Sequence, residues 1–140
     1  MSLDADLIAK KLVIVEANVA DLRRFAKPEL IEADPVQRGF VEHSLQVAIQ
    51  AVLDVATHIV SAERLGMPAR NRDFFKLIAR TGWMPSEQVE TLEKMVGFRN
   101  IIVHGYEVVD LKRVRTILEH GLEDLLRFVQ AIRTKLGGAR

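Results

Sequence analysis

Ile8, Leu12, Val15, Val19, Leu22 and Ala26 recur at intervals of four, three, four, three and four residues, which at about 100° per residue places them on one stripe of a helix. The pattern predicts an amphipathic first helix that packs by this stripe and ends before Pro28, because a residue ahead of proline is driven out of helical geometry. Asp34-Pro35 supplies a capping acceptor followed by proline in the first turn, the start signal of a second helix reaching to about Leu65 and closed by Gly66-Met67-Pro68. Its seam is Val41, Leu45, Ala48, Val52, Val55 and Ile59, and between Glu42 and Glu63 the only formal charge is Asp54. So sparse a charge over so long a run predicts a helix covered on most sides. A second strip, His43, Val47, Gln50 and Asp54, continued by Thr57, His58 and Ser61, carries neutral polar groups and one carboxylate. Two readings stay open for it: a face turned to another protein surface or a wet cleft, and a set of internal hydrogen bonds to neighbouring helices.

Further along, Asn71 to Arg80 predicts a short helix with Phe74, Leu77 and Ile78 inward, stopped near Gly82, with Trp83 plugging the edge of the core beyond it. Pro85-Ser86-Glu87 restarts a fourth helix, its acidic side chain favourable in the first turn, which runs to Gly105. Asp110 caps the last helix, whose Leu111, Val114, Leu118, Leu125, Val129 and Ile132 form a heptad-like seam. Two successive glycines, Gly137-Gly138, make a poor helix and end it, leaving residues 137–140 as a flexible tail. No strand-like alternation, repeat or low-complexity tract competes. The expectation is an all-α protein, an up-and-down helical bundle of four long helices plus a short helix, forming one domain over residues 1–140.

One stretch of the fourth helix breaks the rule that polar groups stay outside. Phe98-Arg99-Asn100-Ile101-Ile102-Val103-His104-Gly105-Tyr106 sets a guanidinium, an amide and an imidazole into an apolar run, and an unpaired polar group costs on the order of 1–3 kcal/mol when buried. Glu93, Gly97, Asn100 and His104 share one strip, while Met95, Phe98 and Ile102 make the opposite, core-facing strip with Ile101 at its edge. Arg99 lies beside Asn100, about 140° from His104 on the helical wheel, an offset that a long side chain covers in part. Gly105 is a natural helix stop, which places His104 and Tyr106 where a helix ends and a ligand has access.

Composition narrows the chemistry. The charges nearly balance, 20 Lys+Arg against 19 Asp+Glu, so no global basic field advertises nucleic acid and any such role rests on a local site. Zero cysteines exclude disulfides and thiolate metal sites and fit a reducing, cytoplasmic setting. Asp4, Asp6, Glu16 and Asp21 punctuate the first helix, which is therefore neither a signal peptide nor a membrane span. His43, His58 and His120 follow no metal-ligand pattern, and neither a metal nor another cofactor is expected. Asp54 stands four residues before His58, close enough on a helix to orient it, and both are candidate supporting residues. The Arg70, Arg72, Lys76 and Arg80 group is either a solvated face or a guide for RNA.

Histidine exchanges protons near neutral pH, and arginine carries a permanent charge on a fork of donors matched to phosphate oxygens. Together they meet the minimum for metal-independent RNA cleavage: His104 deprotonates a ribose 2′-hydroxyl or protonates the leaving oxygen, and Arg99 stabilises the phosphorane-like transition state. Asn100 positions phosphate or orients the imidazole, and Tyr106 bonds phosphate or stacks on a base, unless it is a packing residue with a wet hydroxyl. One histidine makes an incomplete acid–base pair. A two-fold dimer supplies the second, so a homodimer with the motif near its axis is expected.

Arg99-Asn100 followed by His104-Gly105-Tyr106 resembles the Arg-Asn-x-x-x-His-x-Tyr signature of the HepT-like toxins, a family of the HEPN superfamily of small helical ribonucleases. The likeness extends to the His43–Gln46 and Asp54–Ile59 segments, the Gly97-Phe98 lead-in and Val109-Asp110, covering about Gln37 to Phe128. The resemblance implies a HEPN-like fold and a homodimeric endoribonuclease with paired Arg-x-x-x-x-His motifs at an interface cleft. It implies the toxin role in a type VII-like toxin–antitoxin system, with a small MntA-like nucleotidyltransferase as antitoxin. It also implies transfer of AMP to Tyr106, which would place anionic phosphate beside Arg99 and His104 and repel RNA. The rival reading is a non-catalytic helical module that binds nucleotide or docks a nucleotidyltransferase.

Overall fold

The structure, a computed structural model, describes residues 2–104 and 110–137, with the side chains of Val103 and His104 also left outside it. Six helical segments follow in order: α1 (Ala5–Phe25), α2 (Pro35–Ala62), α3 (Phe74–Arg80), α4 (Val89–His104), α5 (Leu111–Thr116) and α6 (Leu122–Gly137). A π-turn, Ile117–Gly121, joins α5 to α6, so the last long helix of the bundle is one helical run with a local irregularity. The described residues contain no strand, as the all-α expectation requires.

The first stripe packs as its spacing dictates: Ile8, Leu12, Val15, Val19 and Leu22 are all buried. Asp4 caps α1 by accepting from the Leu7 N–H at 3.0 Å, and Asp34 caps α2 by accepting from Val36 and Gln37; each such cap contributes about 1 kcal/mol. α2 is the central element and meets α1, α3, α4 and α6. Ala51, Val52 and Leu53 are consecutive and all buried, so neighbours cover α2 on several sides. By length and composition α2 would cross a membrane, yet 56% of its most apolar window is buried inside the protein, which is the mark of a core helix.

α2 ends three residues sooner than its sequence suggests. Arg64 takes a left-handed conformation with φ 54°, and the Leu65 N–H reaches back to the Val60 carbonyl at 2.9 Å, the six-to-one bond that closes a helix with a left-handed residue. A short 3₁₀ turn, Asn71–Asp73, precedes α3; Phe75 and Ile78 are buried there, while Phe74 and Leu77 are partly buried and packed against the core. Phe75 meets Phe128 of α6 edge to face with centroids 6.2 Å apart. Trp83 does plug the core edge, 4% exposed, and its indole Nε1 donates to Glu63 at 2.7 Å.

Across the α1–α6 contact, Arg23 pairs with Glu123 at 2.9 Å and Arg133 with Glu16 at 2.8 and 2.5 Å. The hydrogen bonds from Arg133 hold the Glu16 carboxyl below its ordinary range. Both side chains stay more than 40% exposed, so the pair contributes at most about 1 kcal/mol.

The seam of the last helix is interrupted at the π-turn, where the Leu122 N–H bonds to the Ile117 carbonyl. Gly121 lets this turn press on α4: a Cβ there would stand 2.8 Å from the Met95 Cε and 2.9 Å from the Ile117 Cγ2. Gly121→Val is therefore expected to lower stability by about 1–3 kcal/mol through overpacking, read from a urea melt. An unchanged midpoint would mean that the turn relaxes. Gly137 lies within α6, one residue beyond the expected helix end; residues 138–140 of the expected tail, the expected stop at Gly105 and the position of Tyr106 fall outside the described residues.

Candidate active site on the fourth helix

A 3₁₀ turn, Ser86–Gln88, leads into α4. Val89, Leu92, Met95, Val96 and Phe98 are buried and Ile102 packs against them, which fixes the rotation of the helix. Arg99 follows Met95 and Val96 by four and three residues and precedes Ile102 by three, so its backbone position lies on the core side. His104 follows Gly97, Asn100 and Ile101 by seven, four and three residues, on the other side of the same helix.

The guanidinium narrows that separation. Arg99 Nη1 donates to Asn100 Oδ1 at 2.9 Å, which turns the charge from the core side toward the strip that ends at His104. Its Nε is buried and meets no acceptor among the described residues; a donor in that state costs about 1–3 kcal/mol unless something supplies a lone pair. Phosphate oxygens are the acceptors that this planar fork fits best. The structure thus brings Arg99 and Asn100 together and places His104 one helical turn from Asn100. Tyr106 lies outside the described residues.

Asp54 and His58 are engaged elsewhere. Asp54 accepts from Lys11 Nζ at 2.9 Å and from Gln50 Nε2 at 2.7 Å, and its backbone carbonyl accepts from Thr57 Oγ1 at 3.0 Å. His58 Nε2 accepts from the Asp4 backbone N–H at 2.9 Å. The expected Asp54–His58 orienting contact is replaced by two contacts to the start of α1. The reason is in α1, which brings Lys11 and the Asp4 amide onto this face of α2. Of the two readings of the polar strip, internal hydrogen bonding holds for Gln50 to His58. His43 and Ser61 are exposed.

Two grooves lie on the outer side of α4. One, of about 490 Å³, has Gly97 and Ile101 in its lining and draws cations from both flanks: Arg70, Arg72 and Lys76 on one side, Lys94 on α4 itself and Arg113 of α5 on the other. Arg80, grouped with the first three in sequence, lines a different depression with Ser86 and Val89. The other groove, of about 240 Å³, lies against the π-turn and shares Lys94 and Arg113 with the first. Neither Lys94 nor Arg113 stands out in sequence: Arg113 belongs to an ordinary basic run in α5, and only folding carries it to Phe98, where its guanidinium sits 5.6 Å from the ring centroid. Among the described residues no group of three metal-ligating side chains comes together.

An all-α bundle whose central core helix supports a fourth helix carrying Arg99, Asn100 and His104 has the architecture of the small HEPN proteins; a tri-AMPylated HEPN toxin of Shewanella oneidensis, solved in complex with an MNT antitoxin, superposes with a TM-score of 0.86 at 30% identity, over 94% of this chain and 99% of that one. The profile of the ribonuclease HepT-like family matches residues 15–132, and the chain belongs to that family. Among curated relatives, the mRNA nuclease HepT of Shewanella oneidensis is 30% identical over 93% of this chain and 98% of its own length. The tRNA nuclease HepT of Aphanizomenon flos-aquae is 24% identical over 93% of this chain and 90% of its own.

Proposed function

We infer that this chain is the toxin of a type VII-like toxin–antitoxin pair, a metal-independent endoribonuclease that acts in the cytoplasm and is neutralised by AMP transfer from a cognate MntA-like nucleotidyltransferase. The observation that supports it most is the Arg99 guanidinium, held on Asn100 with a buried Nε that meets no acceptor among the described residues, on the helix that carries His104 within a HepT-like match of residues 15–132. The nuclease names of two relatives and the AMPylated HEPN toxin of Shewanella oneidensis in complex with its antitoxin point the same way.

In the proposed reaction the ribose 2′-oxygen attacks the adjacent phosphorus, the bond from phosphorus to the 5′-oxygen breaks, and a cyclic phosphate and a 5′-hydroxyl result. His104 takes the 2′-proton or returns one to the leaving oxygen. Arg99 holds the nonbridging oxygens as their charge grows, and Asn100 keeps the guanidinium in place. A single imidazole cannot do both proton transfers at once, so a second copy of the chain brings its own motif to the cleft of a homodimer. The whole of residues 1–140 acts as one domain in this assembly.

Neutralisation follows from the same electrostatics. The Tyr106 oxygen attacks the α-phosphorus of ATP, pyrophosphate leaves, and the resulting phosphodiester adds a negative charge to a site built for phosphate. The test is cleavage of a mixed RNA in the presence of chelator, before and after incubation with the nucleotidyltransferase and ATP. Cleavage is expected to fall at least tenfold as the protein gains whole AMP units in its mass spectrum. Tyr106→Phe is expected to gain none and to show, after the same incubation, the rate that the variant had before it. Modification without any change in cleavage, or no cleavage by the unmodified protein at any concentration, sinks the toxin reading in favour of a docking module.

A further inference from the structure

Cleavage chemistry occupies one phosphate, yet the outer side of α4 carries five cations around a groove that lies before His104 along the helix. From Glu93 to His104 the helix rises about 16 Å, so the groove meets nucleotides flanking the cleaved bond rather than that bond itself. Resting on the ribonuclease reading, we propose that this groove is the track for the flanking RNA strand, with Arg72, Lys94 and Arg113 as its phosphate contacts.

Four observations carry the assignment. The cations come from both flanks of α4, so a strand lying along the helix meets positive charge on either side. Gly97 sits between them, and a Cβ there would touch nothing within 4 Å; the floor is open helix backbone over which a phosphodiester chain lies close. Arg113 is fixed in advance by its stacking over Phe98, which lowers the ordering cost of a phosphate contact. Among the described residues neither Arg72 nor Arg113 pairs with a carboxylate, while Lys94 pairs only with Glu90, at 3.1 Å, through side chains 71% and 80% exposed. Such exposed pairs are weak and exchange for a phosphate. Glu93, the other carboxylate of the groove, is balanced by Lys76 at 3.7 Å.

An acidic protein surface is the other ligand that a basic groove attracts. RNA is favoured because the strip bearing Gly97 and Ile101 continues to His104, so one extended polyanion can fill the groove and present its next phosphate to the motif.

The test is binding of a single-stranded RNA by the full chain carrying His104→Ala, which keeps the strand intact whatever the parent cleaves. Fluorescence anisotropy is measured across a salt series. Arg72→Gln combined with Lys94→Gln is expected to raise Kd about tenfold or more. It should also flatten the dependence of log Kd on log salt by about 1.4, from two lost phosphate contacts at about 0.7 each on a single strand. Arg113→Gln, a separate variant checked by thermal melting, is expected to flatten it by about 0.7. Arg23→Gln removes a charge paired with Glu123 on the α1–α6 face and should leave Kd where it was.

Equal losses in the Arg23→Gln control, unchanged slopes in the groove variants, or no salt-dependent RNA binding by the His104→Ala parent each overturn the track. So does a loss confined to binding of poly-glutamate, which would assign the groove to an acidic protein. Because binding is read on an uncleaved strand, failure of the track and failure of the nuclease reading give different results: the first appears in the salt slopes, the second in the absence of cleavage by the unmodified protein.

Discussion

His104→Ala is expected to slow RNA cleavage by about 10²–10⁴-fold, the range lost when a positioned general acid or base is removed. The effect belongs in kcat, because a proton transfer is made in the transition state and not in the bound substrate. Arg99→Ala is expected to fall in a similar range, since removal of one donor to a developing anion costs about 10²–10³. The instructive variant is Arg99→Lys. A lysine keeps the charge but loses the planar fork, and at a site where Nη1 is already committed to Asn100 the compact ammonium does not reproduce the remaining side-by-side donors that match two phosphate oxygens. It should recover little of the lost rate. The double variant Arg99→Ala/His104→Ala should be about as slow as the slower single one, because both groups act on the same transition state. Multiplicative losses in single-turnover cleavage would show that the two residues work in separate steps.

The second large effect lies next door. Phe98→Ala is expected to lower stability by about 3–5 kcal/mol, a large share of the 5–15 kcal/mol that holds a typical domain. Phe98 is 1% exposed, so truncation leaves a cavity between α4 and its neighbours rather than a relaxed surface. Its ring also seats Arg113, a cation–π contact of about 0.5–1 kcal/mol at an exposed site. Urea melts of Phe98→Ala and Arg113→Ala separate the two terms: the arginine variant should lose no more than about 1 kcal/mol. A loss below about 1 kcal/mol for Phe98→Ala would mean that the core refills the space and that the ring is not the anchor of α4.

Periodicity made much of this molecule readable. The stripe from Ile8 to Leu22 and the seam from Val41 to Ile59 are buried because a helix under tension between water and core has one stable rotation, and that rotation is written in the spacing. Asp34 was readable for a local reason, an acceptor within reach of the next free amides. The failures share a different cause. Arg64 ends α2 in a conformation usually left to glycine, and the π-turn at Ile117–Gly121 sets its glycine where a Cβ would press on Met95, 26 residues earlier; neither leaves a trace in its own neighbourhood. Phe75 was missed because in a helix only seven residues long both successive aromatics turn inward, Phe75 fully buried and Phe74 partly buried against the core.

The site divided along the same line. Arg99, Asn100 and His104 stand within six residues, so their shared helix was legible, and the Arg99–Asn100 bond supplied the turn that spacing left incomplete. Asp54 and His58 look like a pair in sequence because they are four apart, but Lys11 and the Asp4 amide come from another helix and take their place as partners. Arg113 shows the reverse: unremarkable in its own run, it joins the groove only when α5 settles against α4.

Trp83 is the chain's only tryptophan, and it stands at a junction: its indole donates to Glu63 just past α2, its ring lies 6.0 Å from the Lys135 ammonium of α6, and the next residues lead into the motif helix. The protein therefore carries its one indole fluorophore at the joint between its central helix and the helix that bears Arg99 and His104. Excited beyond the absorption of Tyr106, its emission reports that joint without a label, whether the event at the other end of α4 is the arrival of RNA, a second copy or a nucleotide.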